Sequence, residues 1–577
     1  MDCFPLHILH GIGKFTCNTT IRRNTMTKRF LLAFAALFVL VLAAACAPVA
    51  PAAMEEATGA DSMMGGTLRI ALPADVTSLD LHKTSRGDDA LVVGQWFNAT
   101  LITQNSDGEY IPYLAESWEF SDDGLTWTFH LRDDVKFHNG DPVTAHDFVW
   151  TYERALDPDL ASPGTGRRLS GMTFEAPDDY TVVFNFPAPA ISLLQFLNWG
   201  YMAPMSQRAV EELGAEYELN PVGTGPYKVV EVRPGEGVSM ERWDEYNWGP
   251  EFFEGANTGP YNFDRIEFSI LPEEATRIAA LEAGDIDYVN GISNPLDVAI
   301  LEAAGVTVQQ APYGQVRMVY LQNHVPPFDD VRVRQALNYA VNREEITQIV
   351  TDGADQVSRG PISPGMLGYD PEIEEQCGYH FDLDRAKELM QEAGYTYGDD
   401  GMLITPDGEP FSLTLIGEPV DSGTAYMEVL QSMWRELGLD ITLESTEPSI
   451  LYPRLTERDY QMGYGRRGGW TSYDYLYAIY HSSTGRDLPG SMRSAVDDPT
   501  TDALLEKNRA MASDNPELQG SINELYCHIA GQSYSVWISD GVFRPSIGPR
   551  VQGTVAGPAF AGRPVYFSNA YIAPEDR

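Results

Sequence analysis

The run LAESWEFSDDGLTWTFHLRDDVKFHNGDPVTAHDFV fills Leu114 to Val149. Its first part predicts a hairpin over Trp118 to Leu131. WEF enters the turn Ser121-Asp122-Asp123-Gly124, and LTWTFHL leaves it. Leu125, Trp127, Phe129 and Leu131 alternate onto one face, with Thr126, Thr128 and His130 on the other, the two-residue period of a half-buried strand. Asn139-Gly140 is a second turn signal. Thr144 with Asp147 three residues on resembles a capping box, Asp standing for the usual Glu, and it opens a helix through DFVWTYERAL.

The same alternation of strand and helix patterns continues outward. Gly66 to Ala71 reads as a first strand, and Leu79 to His82 lies in the loop after it. Pro272 to Ala283 reads as a helix stopped by Gly284, where a left-handed cap is needed, and IDYV follows as a strand. Asp330 to Val341 is a further helix, and Asn342 with Glu345 caps the next, REEITQIV. Asp384 to Ala393 places Ala386, Leu389, Met390 and Ala393 on one face, with Gly394 as its stop. Leu403 to Leu415 reads as a hairpin around Asp407-Gly408. No internal repeat interrupts the series, and the fold class is α/β with mixed sheets.

At ~150 residues per domain, 577 residues suggest roughly three or four domains. An apolar fraction of 43% is enough to bury large cores. Lys and Arg total 39 against 83 Asp and Glu, a formal net charge of −44. A surface this acidic repels phosphate backbones and anionic lipid headgroups, which makes nucleic acid a poor candidate partner and argues against the protein lying on an anionic membrane by its own surface. Five cysteines are too few for a disulfide framework. Cys377 and Cys527 could pair, and sequence alone leaves that open.

Phe30 to Ala45, FLLAFAALFVLVLAAA, is sixteen uncharged apolar residues behind Lys28 and Arg29. A basic start, a short apolar run and a small-residue exit describe a signal peptide, and sixteen residues are short for a membrane span. Met26 begins MTKRF, so residues 1–25 read as an upstream extension and 26–45 as the signal peptide. Ala44-Ala45-Cys46 resembles a bacterial lipobox, with Ala43 where Leu is usual and Leu42 one step further back. That resemblance implies lipidation of Cys46 and an anchor in the membrane. Residues 46–65 have the small, polar, Pro/Gly-bearing composition of a tether.

Five segments, in order along the chain, resemble the extracytoplasmic solute-binding proteins of ABC importers of the oligopeptide, dipeptide and nickel type (family 5). They are Leu114 to Val149; PVGTGPYKV at Pro221 to Val229; RIAALEAGDIDYV at Arg277 to Val289; PFDDVRVRQALNYAVNREEI at Pro327 to Ile346; and DLDRAKELMQEAGY at Asp382 to Tyr395. The resemblance implies a two-lobed periplasmic-binding-protein fold with mixed sheets, closing like a hinge on a ligand. It places the first lobe at 66–108, 222–319 and 537–577, an extra domain on it at 109–221, and the second lobe at 320–536. The hinge is then expected near Leu321 to Asn323 and near Trp537.

Arg466 to Tyr480, RRGGWTSYDYLYAIY, has the composition of a ligand clamp: aromatics and a lone acid, which can stack a solute and hold a positive group. The alternative is a set of core residues, and Leu476 and Ile479 fit that better. In peptide-binding members of the family a Trp opens this loop and an Asp three residues later holds the peptide amino group. Trp470 matches the Trp; position 473 is Tyr, and the acid follows at Asp474. The expected ligand-binding set is Trp470, Thr471, Tyr473, Asp474, Arg467 and Arg466, the arginines suited to a carboxylate. Asp80 and His82 fall in a loop the family places near the cleft mouth, and a structural role is expected for Asp80.

His130, His138 and His146 recur every eight residues, but on a strand, a strand end and a helix start, so no metal site is expected. Gly223-Thr224-Gly225 lacks the spacing of a phosphate loop and precedes a strand, so its glycines are expected to serve close packing. No HExxH or GxSxG motif occurs. The expectation is a monomeric, lipid-anchored binding protein without cofactor or catalysis, held outside the cytoplasmic membrane. It would capture short peptides and pass them to the permease subunits of an ABC importer. An oligosaccharide ligand stacked on Trp470 is the alternative, and a secreted hydrolase the third.

Overall fold

The computed structural model describes residues 63–577 except 77, 85–91, 122, 161, 163–164, 167, 188–192, 419–421, 447, 468–472, 474, 483–495, 512–514 and 559–563. Of 193, 311–313, 315, 448–449, 452, 456, 466 and 467 it describes the backbone alone. Cys46, the signal segment and the tether lie outside the described residues.

In chain order the strands of the three main sheets are β1 (Thr67–Leu72), β2 (Ala115–Phe120), β3 (Thr126–Leu131), β4 (Thr173–Asp178), β5 (Thr181–Asn185), β6 (Tyr227–Arg233), β7 (Gly237–Arg242), β8 (Arg265–Ile270), β9 (Tyr288–Val289), β10 (Thr307–Val308), β11 (Ala311–Leu321), β12 (Gln356–Val357), β13 (Ser412–Gly417), β14 (Asp440–Ser445), β15 (Met462–Arg467), β16 (Ser535–Phe543) and β17 (Ser546–Ile547). The helices the site depends on are α1 (Ala145–Leu156), α2 (Pro371–Cys377), α3 (Gly423–Glu436), α4 (Tyr475–Tyr480) and α5 (Leu518–Gln532).

The first sheet has the order β10-β17-β9-β1-β8-β7-β6. β1 runs parallel to β8 and β9, and the strands outside them are antiparallel, so the sheet is mixed. A second, antiparallel sheet of order β2-β3-β5-β4 carries the expected hairpin, with Trp118 opposite Phe129 and Phe120 opposite Trp127. Trp127, Phe129 and Leu131 are buried while His130 is exposed, as the alternation requires. Their core is continuous with Leu68, Ile70 and Leu72 of β1. At the start of α1 the Thr144 N–H donates to Asp147 Oδ2 at 2.8 Å, closing the expected cap.

Two polar clamps fix the 109–221 region to β1 and its neighbours. Arg154 of α1 grips Asp80 with Nη2–Oδ2 at 2.6 Å and Nη1–Oδ1 at 3.1 Å, and its Nη1 also donates to His82 Nδ1 at 2.9 Å. Burial, with the Arg154 charge second, pushes His82 down to about 3, so the imidazole is neutral. In the other clamp, His138 Nδ1 accepts from the Gly223 N–H at 3.3 Å and Nε2 donates to the Gly225 carbonyl at 2.9 Å. Both glycines are needed because the loop touches backbone: a Cβ on Gly223 would sit 1.9 Å from the Phe97 carbonyl oxygen. Each of the three histidines thus has separate company, His138 on the glycine loop and His146 3.4 Å from Asp179, while His130 faces solvent.

The third sheet has the order β12-β16-β11-β15-β13-β14. β13, β14 and β15 are parallel, and β11 lies antiparallel between β15 and β16. Alternate residues of β11 serve two cores. Val319 and Leu321 pack with Met427, Leu430 and Trp434 of α3. Val316, Met318 and Tyr320 pack with Tyr475, Leu476 and Ile479 of α4 and Leu525 and Ile529 of α5. Cys377 and Cys527 form a disulfide between α2 and α5, with Cα atoms 5.2 Å apart. The turn at Asp407-Gly408 forms, with Gly408 N–H to Thr405 O at 2.9 Å. The hairpin expected over Leu403 to Leu415 forms in its first part, with Thr405 N–H to Glu409 O at 2.8 Å, Phe411 N–H to Leu403 O at 2.9 Å and a bridge from Ile404 to Pro410, and stops at Phe411. β13 pairs with β14 and β15 instead, because its buried Leu413 and Leu415 need the third sheet's core.

The first and third sheets exchange the chain twice, from β10 into β11 and from β16 back into β17. Both passages lie about ten residues from the expected hinge. Leu321 to Asn323 close the far end of the β11–β16 pair, where Asn323 Nδ2 donates to the Leu321 and Tyr534 carbonyls at 3.1 Å. Trp537 is wholly buried inside the third sheet. Long antiparallel pairing carries β11 and β16 into one sheet as a unit, and the passages to the first sheet lie outside it.

Candidate functional site

The parallel run of β13, β14 and β15 brings their carboxyl ends to one edge of the third sheet. Antiparallel pairing brings the start of β11 and the end of β16 to the same edge, with Arg466 opposite Arg317 and Arg317 opposite Ser539. That edge is also where the chain passes to the first sheet. Ligands of open α/β sheets bind outside the carboxyl ends of parallel strands, so this edge is the place to look for a site.

A buried polar cluster stands there. Arg317 Nη1 lies 2.7 Å from Asp355 Oδ2, with side-chain exposures of 10% and 3%. The Tyr426 hydroxyl donates to the same Asp355 oxygen at 2.7 Å, and the Arg317 guanidinium lies 5.2 Å from the Tyr426 ring centroid, a cation–π distance. Tyr426 Oη is also 3.1 Å from Ser539 Oγ. Burial works against the Arg317 charge, but Asp355, with Tyr426 and Tyr464 behind it, raises its pKa on balance.

A bulge in β16 arranges this. Arg317 faces Ser539 but Met318 faces Trp537, so Ile538 is an extra residue. Such a bulge re-aims the side chains that follow it. Ser539 turns to α3 and Tyr426, and Asp540 turns to the opposite side, where Ser363 Oγ donates to it at 2.8 Å.

The predicted ligand loop begins at this edge. Arg466 and Arg467 are the last residues of β15, and Arg467 pairs with Val316. Trp470, Thr471 and Asp474 lie outside the described residues. Tyr473 is 3% exposed and packs with Ile522 and Tyr526, and its N–H donates to the Leu367 carbonyl at 3.0 Å. That burial gives Tyr473 the work of anchoring the loop's far end. Leu476 and Ile479 are buried beside it, as expected. Asp80 has the structural partner expected for it, Arg154. Sequence reasoning missed Arg317, Asp355 and Tyr426. A signal existed for the first: Arg317, Val319 and Leu321 share one row of β11, and a lone cation on an apolar row needs a buried partner.

The profile of the bacterial extracellular solute-binding proteins, family 5 (middle region), matches residues 109–487. The chain belongs to this family. Among curated relatives, heme-binding protein A of Haemophilus influenzae is 28% identical over 491 residues, covering 80% of this chain and 85% of its own. The dipeptide-binding protein of Escherichia coli is 29% identical over 381 residues, covering 61% and 66%. Among solved structures, the ABC transporter substrate-binding protein CtaP of Listeria monocytogenes superposes with a TM-score of 0.73 at 26% identity, covering 88% of this chain and all of that one. As a family 5 member the protein is an extracytoplasmic solute-binding protein of an ABC importer, two-lobed, and a binder rather than an enzyme. Among the described residues no helix is long and apolar enough to cross a membrane.

Proposed function

We propose that the protein captures short peptides outside the cytoplasmic membrane, held there by lipid on Cys46, and delivers them to its importer. The observation that carries the reading is where the described ends of the Arg466 to Asp474 segment lie, Arg467 and Tyr473. Arg467 ends β15 at the sheet edge where the chain passes between the lobes, and Tyr473 is anchored in the core by burial and its hydrogen bond to Leu367. The dipeptide-binding relative supports the ligand class. In this reading Asp474 holds the peptide ammonium group, Trp470 and Thr471 flank it, and Arg466 and Arg467 line the cleft beside it.

A double-mutant cycle tests the reading. Truncating one partner of a desolvated charge pair weakens binding by ~2–5 kcal/mol. Asp474→Ala should therefore weaken trialanine binding by that amount. N-acetylation of the peptide should weaken wild type equally and the variant little, because both changes remove one interaction. Independent losses would assign the amino group to another residue. No effect of either would favour a stacked sugar on Trp470. For the anchor, Cys46→Ser should shift the protein out of the membrane fraction, and full retention there would refute lipidation.

A further inference from the structure

Arg544 follows β16 directly, in the passage from the third sheet back to the first. Its backbone carbonyl accepts from the Ile292 N–H of the first lobe at 3.1 Å. Its side chain reaches the other way, Nη1 to the Val542 carbonyl at 3.0 Å and Nη2 to the Ala354 carbonyl at 3.4 Å. The residue is 3% exposed, and its Nε has no hydrogen-bond acceptor. Arg343 is equally buried, but its guanidinium is satisfied by the carbonyls of Ser358, Trp537, Asn338 and Val341 and by the Asn338 side chain. Arg544 has two carbonyls, one of them distant, and no ion pair among the described residues.

The charges around it do not make up the deficit. Asp355 acts on Arg544 but is already paired with Arg317 and Tyr426. Asp540 faces the other side of β16, toward Ser363. Arg317 Nε likewise lacks an acceptor, and 10% of that side chain remains exposed. Arg317 is thus held by Asp355, with Asp540 acting on it from the far side of β16, while Arg544 has only the already paired Asp355 to draw on in the passage between the lobes. A buried, unpaired cation is expensive unless an anion completes it.

We propose that Arg544 and Arg317 form an anion subsite at the floor of the cleft, which receives a carboxylate of the bound solute. The subsite rests on the peptide reading only for the identity of that carboxylate, the peptide's carboxyl terminus. Binding there joins the solute to the segment that must bend when the lobes move, so occupancy and closure are coupled by one contact. Burial lowers the Arg544 pKa and the Arg317 charge lowers it further against the pull of Asp355, in keeping with a missing counter-charge.

The test uses the full chain stripped of ligand, titrated calorimetrically with trialanine and with trialanine amide. Wild type should bind the amide about 30-fold or more weakly. Arg544→Gln should weaken trialanine by a similar factor and leave the amide unchanged, and Arg544→Lys should keep most of the trialanine affinity. Equal wild-type affinity for the two probes overturns the subsite, and that result requires no variant to fold. If Arg467→Gln rather than Arg544→Gln removes the distinction, the carboxylate belongs to the loop arginines and the assignment falls. A second arm needs no peptide: succinate, against chloride at equal ionic strength, should raise the melting temperature of wild type and not of Arg544→Gln. A succinate effect without peptide binding keeps the subsite and refutes the peptide reading. Peptide binding with neither an amide effect nor a succinate effect refutes the subsite and keeps the peptide reading.

Discussion

Replacing Asp80 with Ala should destabilise the junction of the 109–221 region with the first sheet more than any nearby surface change. The carboxylate is 2% exposed and is gripped at two points by Arg154, whose side chain is 14% exposed. Truncation leaves that guanidinium buried beside the neutral His82, which can accept only one of its N–H groups. Breaking a buried ion pair from one side typically costs ~3–5 kcal/mol. Arg154 keeps slight solvent access, so the lower end, about 3 kcal/mol, is expected. The assay is urea unfolding followed by tryptophan fluorescence, for wild type, Asp80→Ala, Arg154→Met and the double variant. The double variant should recover much of the loss, because it removes the stranded charge along with its partner. A cost below about 1 kcal/mol for Asp80→Ala, the range of an exposed pair, would refute the reasoning, as would simple additivity.

Acid should destabilise the fold through His82 and His138, which burial holds at about 3 against 6.5 when unfolded. The unfolded chain binds the extra protons, so stability falls as pH drops from about 6.5 toward 3, by about 2 kcal/mol per histidine at pH 5. His138→Gln should flatten the curve of unfolding free energy against pH, and an unchanged slope would contradict the burial of that ring. Gly223→Ala should destabilise by at least about 1–3 kcal/mol, because its Cβ would overlap the Phe97 backbone. Gly520→Ala on α5, with nothing within 4 Å of the new methyl, should stabilise by ~0.5–1 kcal/mol, and urea midpoints decide both. A peptide at one hundred times Kd should add ~2.7 kcal/mol to stability and compact the protein in small-angle scattering, and binding without compaction would contradict hinge closure.

Local patterns were legible in the sequence wherever one element carried its own explanation. The Trp127-Phe129-Leu131 alternation, the Thr144–Asp147 cap and the Gly284 stop, left-handed at φ 75°, all appear where local chemistry demands them. Long-range pairing was not legible. β13 looks like half of a hairpin because its nearest turn is strong, and only the distant β14 and β15 reveal its place. The passages between the sheets fall away from the expected hinge for the same reason, since nothing local to Leu321 or Trp537 states that β11 and β16 pair along their whole length. At the site, the Arg466 to Asp474 segment stood out by composition, and the pairing of β15 with β11 brings its start to the passage between lobes. Asp355 gave no signal, because its meaning comes from Arg317, thirty-eight positions earlier, and from Tyr426 on α3. Tyr473 drew attention as an aromatic in a polar loop, and its burial against α5 shows how one residue of a proposed binding loop can belong to the core.

Native mass spectrometry of the full chain incubated with an equimolar mixture of di- to pentapeptides, heme and a tetrasaccharide tests the central claim most directly. A one-to-one adduct with short peptides, lost on Asp474→Ala, is the predicted result. An adduct with heme or the sugar in place of any peptide would contradict it.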